Sequence, residues 1–234
     1  MDQLQTDHLK AYGVAFWTLK NGEEVDWLLN YRGGSFMLNY NGILERELTI
    51  RGVYFEPINT AILTDIFAQI EENNMDMVLL EKLPKIAVYS PPDKQPWDDA
   101  VTLALTYAEI DYEVIFDEQV LTDKLEDYDW LHLHHEDFTG QYGKFYKNYH
   151  NASWYKNMEM QFNATANKFG FPSVHELKKQ IAAKIKSYIQ NGGFLFAMCS
   201  ATDSFDIALA AQNVDIASSV YDGTQVDPNY RNKM

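Results

Sequence analysis

Ile86-Ala87-Val88-Tyr89 and Phe194-Leu195-Phe196-Ala197-Met198 are short runs with almost no polar residue, each next to a stretch of helical periodicity. A strand that is apolar on both faces needs cover on both faces, and this is the pattern of a parallel sheet with crossover helices. That feature restricts the fold more than any other. The spans around it agree: a strand over 85–90, a helix over 98–109, strands over 112–116 and 129–135, and a strand over 194–199. Ser173 and Glu176 form a capping-box pair that opens a helix, in which Val174, Leu177, Ile181, Ile185 and Ile189 recur every three or four residues. Asn191-Gly192-Gly193 closes it, and after Cys199 a turn at 200–203 leads into a helix over 204–212. Alternating strands and helices predict an α/β fold with a doubly wound parallel sheet and right-handed crossovers. Counted within residues 83–234, the expected strand order is 2-1-3-4.

The first 82 residues read as a related but incomplete unit. A helix over 4–20 ends at Asn21-Gly22, a strand runs over 25–31, a second strand over 48–55, and Pro57 opens another helix at its first position. Set beside the second unit, this is a βα half that begins one strand late. The expectation is a fragment of a longer chain: an N-terminal half over 1–82 packed on a core over 83–234 that is truncated at its C-terminus. No Gly/Ser/Pro linker separates the two. A sheet missing a strand exposes an edge, through which self-association is expected.

Charge narrows the partners. Nineteen Lys and Arg against 34 Asp and Glu give a net charge of −15, which repels polyanions, so no nucleic-acid partner is expected. Lys178, Lys179, Lys184 and Lys186 are the densest basic stretch, and they read as the solvated face of the helix that starts at Val174. No apolar run is long enough to span a bilayer, so no membrane partner is expected. One cysteine excludes an internal disulfide and suits a reducing compartment. The first residues hold neither a basic n-region nor an apolar h-region, so a cytoplasmic location is the default reading. A secreted or periplasmic one applies if the full-length protein carries a signal peptide.

Ligands of open parallel sheets bind beyond the carboxyl ends of the strands. Four loops are expected to meet there: Arg32-Gly33-Gly34-Ser35, Ser90-Pro91-Pro92-Asp93, His134-His135-Glu136-Asp137 and Cys199-Ser200-Ala201-Thr202-Asp203. Cys199 ends an apolar strand just before a helix, the junction that exposes a nucleophile and lets a helix N-terminus favour a thiolate. The competing reading is a buried structural cysteine. His132 and His134 point to one side of their strand and His135 to the other. With Glu136 and Asp137 they suit a general base, a metal or plain core hydrogen bonding. No His-x-Glu-Cys zinc pattern is present, and neither metal nor cofactor is expected. The third strand should neighbour the fourth, so Cys199 and residues 134–137 are expected to share a pocket for a small polar molecule. Arg32–Ser35 suits an anion-binding loop or a plain turn. The aromatic stripe Tyr142, Phe145, Tyr146, Tyr149, Trp154, Tyr155 suits a planar ligand or a satellite core.

Four longer segments carry a family resemblance. His8-Leu9-Lys10-Ala11-Tyr12-Gly13, Asn30-Tyr31-Arg32-Gly33-Gly34-Ser35, the run from Trp130 through His135-Glu136-Asp137 to Gly140, and the run from Phe196 through Cys199 to Asp206 resemble a bacterial family labelled asparagine synthetase B. The element order resembles the class I glutamine amidotransferase-like fold, whose nucleophilic cysteine sits at the elbow that Cys199 would occupy. The resemblance implies an amidotransferase or hydrolase domain with Cys199 as nucleophile and a base among His132, His134 and His135 or in chain outside this sequence. No histidine follows Cys199. The alternative is a catalytically silent domain of the same fold that binds a small ligand.

Overall fold

A computed structural model describes residues 4–92, 100–142 and 145–234. Contacts divide the chain into two units. The first comprises the chain up to Pro84 together with Ala100–Asp111, and the second runs on from Lys85 and from Tyr112 to Met234.

The first unit contains α1 (His8–Lys20), β1 (Val25–Leu29), β2 (Ser35–Leu38), α2 (Gly42–Ile50), α3 (Thr60–Glu72), β3 (Asp76–Leu80) and α4 (Ala100–Ala108). Its sheet has the order β2-β1-β3, and β1 pairs antiparallel with both neighbours. This corrects the expectation of an incomplete parallel half. The cause is local, because Asn30, Arg32, Gly33 and Gly34 all adopt positive φ and turn the chain straight back as a hairpin. Residues 48–55, expected as a strand, lie at the end of α2 and beyond it. Asn41 caps that helix by accepting from the backbone N–H of Ile43 and Leu44, and Leu44 and Leu48, four apart, are its buried residues. Asn59, two residues after Pro57, caps α3 in the same way. α4, which separates two strands of the second unit in sequence, belongs to the first. It approaches α1 so closely that a Cβ on Gly13 would sit 1.9 Å from the Ala108 carbonyl oxygen.

The second unit contains β4 (Ile86–Tyr89), β5 (Glu113–Ile115), α5 (Asp117–Leu121), β6 (Trp130–Leu133), α6 (Tyr146–Tyr149), α7 (Ser153–Lys168), α8 (Val174–Gln190), β7 (Phe194–Ala197), α9 (Cys199–Ala210) and α10 (Ser219–Asp222). Its four strands are all parallel in the order β5-β4-β6-β7, which is the expected 2-1-3-4. Ala87, Tyr89, Leu131 and Leu133 from one sheet face join Leu177, Ile181 and Ile185 of α8 and Ala201, Phe205 and Ala208 of α9 in one core. Burying each large aliphatic there contributes roughly 1.5–3 kcal/mol. Ser173 caps α8 by accepting from the Glu176 N–H, as the capping-box pattern anticipates.

One expectation fails inside this core, and one open alternative is decided. Lys178 and Lys179 are buried rather than solvated. The aromatic stripe is core: Tyr142 and Tyr155 are buried in the main cluster, with Phe145, Tyr146 and Trp154 packed on it. Burial pushes the Tyr142 and Tyr188 hydroxyls up to about 12. Both are protonated in folded and unfolded chains below about pH 10. Above that, the unfolded chain releases protons that the folded chain retains, so stability falls as pH rises from 10 through 12. Urea midpoints measured from about pH 8 to 11.5 should be level at first and then decline, and Tyr142→Phe with Tyr188→Phe should flatten the decline. No described helix is long and apolar enough to cross a membrane.

Candidate functional site

β6 and β7 are neighbours, and their carboxyl ends carry the two segments that hold the chemistry. Beyond Leu133 the chain enters 134–137, where the His134 N–H donates to Glu136 Oε2 at 2.8 Å. Asp137 is spent on its own loop. It accepts from the backbone N–H of Thr139 at 2.8 Å and of Gln141 at 2.9 Å. Gly140 follows with φ +74, and a Cβ there would lie 2.6 Å from His175 Cα. The His175 ring, itself buried, meets the Thr139 carbonyl at 2.7 Å. This loop is therefore clamped to the head of α8.

On the other strand, the Met198 N–H donates to the Leu133 carbonyl, and Cys199 opens α9 directly, with φ +51. The expected turn at 200–203 is thus the start of a helix. Positive φ on a non-glycine residue at a strand–helix junction is strain that the surroundings must hold in place. Here they do so through the neighbouring loop. The Ala201 N–H donates to the His134 carbonyl at 3.1 Å, Ser200 Oγ to the His135 carbonyl at 3.0 Å, and Ser204 Oγ to the Glu136 carbonyl at 2.8 Å.

These bonds bring side chains together. The His134 and His135 rings stack with centroids 3.6 Å apart. A ligand-capable nitrogen of each ring and Cys199 Sγ all lie within 4.8 Å of one another. Cys199 is exposed, not buried, while both histidines are half-buried. The thiol sits at the N-terminal end of α9. Three such donor atoms together also suit a soft divalent cation.

The other expected residues fall elsewhere. Thr202 and Asp203 are exposed on α9. Ser90 ends β4, with its N–H bonded to the Ile115 carbonyl of β5. Asp93 lies outside the described residues. Arg32–Ser35 belongs to the first unit and to an antiparallel hairpin, so the rule placing ligands at parallel strand ends does not reach it. The Arg32 guanidinium forks onto Glu56 at 3.1 and 3.3 Å, and the Gly33 and Gly34 N–H groups close the turn on the Asn30 and Tyr31 carbonyls. Both features an anion would use are engaged within the protein.

One group of residues had no part in the expected site. Lys178 Nζ donates to Tyr89 Oη at 2.9 Å and to Asp117 Oδ1 and Oδ2 at 2.8 and 2.9 Å. The Tyr89 hydroxyl also donates to Asp117 Oδ1. Lys178 is 2% exposed and Asp117 1%, and the ammonium lies over the Phe116 and Phe162 rings at 4.4 and 4.8 Å. Burial, and then the Asp117 charge, hold the Tyr89 hydroxyl well above the usual tyrosine range. The signal was present in the sequence: Lys178 lies four residues after Val174 and four before Ala182, inside the apolar stripe of α8.

Comparison with protein-family models, with curated proteins and with solved structures found no match.

Proposed function

We propose that the second unit is a cysteine-dependent acyl-transfer enzyme, an amidase or amidotransferase-like hydrolase acting on a small polar amide. The observation that carries this reading is Cys199 itself: an exposed thiol at φ +51, heading a 12-residue helix, with two imidazoles within 4.8 Å. In the proposed reaction His134 or His135 takes the thiol proton, and the thiolate attacks the amide carbonyl. The imidazolium returns the proton to the departing nitrogen, which leaves as ammonia or an amine. Water then cleaves the thioester, releasing the acid and restoring the thiol. The α9 dipole favours the negative charge on the sulfur and on the carbonyl oxygen during attack. The resemblance to the asparagine synthetase B family supports amide chemistry, and the parallel sheet is compatible with a class I amidotransferase-like fold.

The test is the rate of thiol alkylation at neutral pH. Iodoacetamide should label Cys199 about tenfold or more faster than a free thiol such as glutathione, and His134→Gln with His135→Gln should slow the labelling. A Cys199 that reacts no faster than the free thiol would overturn the reading of an activated nucleophile. A second reading rests on the same donor set: His134, His135 and Cys199 hold a divalent cation in place of a reactive thiol. Zinc that binds stoichiometrically and blocks alkylation would favour it.

A further inference from the structure

The first unit contains a cavity of about 580 Å³ with an edge strand for one wall. That size is usual for a ligand site. Every residue of β2, from Ser35 to Leu38, lines it. β2 is terminal in its sheet, and among the described residues β1 is its only strand partner. An antiparallel edge strand turns half of its N–H and C=O groups outward, where they template another extended chain.

The walls on the two sheet faces fit such a chain. Residues paired across β1 and β2 share a face, so Trp27 with Phe36 marks one side and Asp26 with Met37 the other. Behind the first side lie the buried Val14, Leu44 and Leu48. Behind the second lie the buried Leu28 and Ile66. An added strand would place one alternate set of side chains against the apolar wall on the Phe36 side and the other on the side that carries Asp26. Charge fixes the rest. Glu24, Asp26 and Glu56 line the cavity against a single Arg32, which is already paired with Glu56. The chain as a whole carries −15. A ligand with positive side chains is favoured over an anionic one.

We infer that the cavity beside β2 is a peptide site, which takes an extended segment of apolar residues alternating with Lys or Arg by strand addition to β2. Strand addition draws affinity from main-chain hydrogen bonds and specificity from pockets for alternate side chains. The four residues of β2 span about 13 Å, which a segment of four or five residues covers. The inference is independent of Cys199 and of the function proposed for the second unit.

The test uses the whole protein and the acetylated, amidated pentapeptide Leu-Lys-Leu-Lys-Leu, titrated by calorimetry. Three relatives are titrated beside it: Glu in place of Lys, N-methyl groups on residues two and four, and N-methyl groups on residues one, three and five. The parent peptide should bind at or below about 1 mM. The Glu form, and at least one N-methylated form, should bind about tenfold more weakly or worse. Ile62→Trp, which fills the cavity from a position 43% exposed, should weaken the parent peptide by a similar factor with an unchanged melting temperature. Parent binding that both N-methylated forms match would overturn strand addition. Equal binding of the Glu form would overturn the basic partner. Absence of any binding up to about 1 mM would overturn the site.

Discussion

Lys178→Met should lower the unfolding free energy by about 3–5 kcal/mol, enough to threaten folding altogether. The substitution removes three hydrogen bonds and leaves the Asp117 carboxylate 1% exposed beside a hydroxyl that resists ionisation. A buried charge without its counter-ion pays the desolvation penalty in full, whereas an intact pair contributes little net stability. The double change Lys178→Met with Asp117→Leu should therefore recover most of the loss. Lys178→Arg should not, because a planar guanidinium does not fit where an ammonium sits between the Phe116 and Phe162 rings. Urea denaturation of the three variants decides the matter, and a Lys178→Met midpoint equal to the parent's would refute it.

Cys199→Ala should remove the proposed amidase activity by about 10³-fold or more, because the sequence holds no second cysteine to form the thioester. Ammonia release from a panel of small carboxamides, glutamine and asparagine among them, supplies the measurement. His134→Gln and His135→Gln should each cost less, and the one that acts as base should cost about 10²–10⁴-fold. Circular dichroism and melting curves should match the parent in Cys199→Ala, because Cys199 is exposed. If that variant still turns over amides at the parent rate, the second unit has no cysteine-dependent chemistry.

The parallel sheet was legible because β4 and β7 are unbroken apolar runs set between helical periodicities. From strand order followed the neighbourhood of Cys199 and His134–His135, since parallel strands expose their carboxyl ends on one edge. The first unit was less legible for a physical reason. β2 and β3 are short edge strands of largely apolar sequence, and an apolar run this short does not by itself distinguish strand from helix. Alternation over residues 48–55 suggested a strand, yet the Asn41 cap and the Leu44–Leu48 spacing decided for a helix. Lys178 was misread because charge was allowed to outweigh position. A lysine in the middle of an apolar stripe implies a buried acid, and here that acid is Asp117, 61 residues earlier.

The placement of α4 governs the order in which this chain can be completed during synthesis. The first unit is interrupted after Pro84 and resumes only at Ala100, so β4 is synthesised before the helix that packs against α1. A polypeptide ending at Pro84 would lack that partner and show α1 to water along the side that carries Gly13. Cleavage at any single peptide bond between the units would likewise leave at least one of them in two pieces. Swapping either unit between related proteins therefore requires three junctions, after Pro84, before Ala100 and after Asp111, and a library of single-crossover chimaeras should yield folded products only where both parents supply matching α1 and α4.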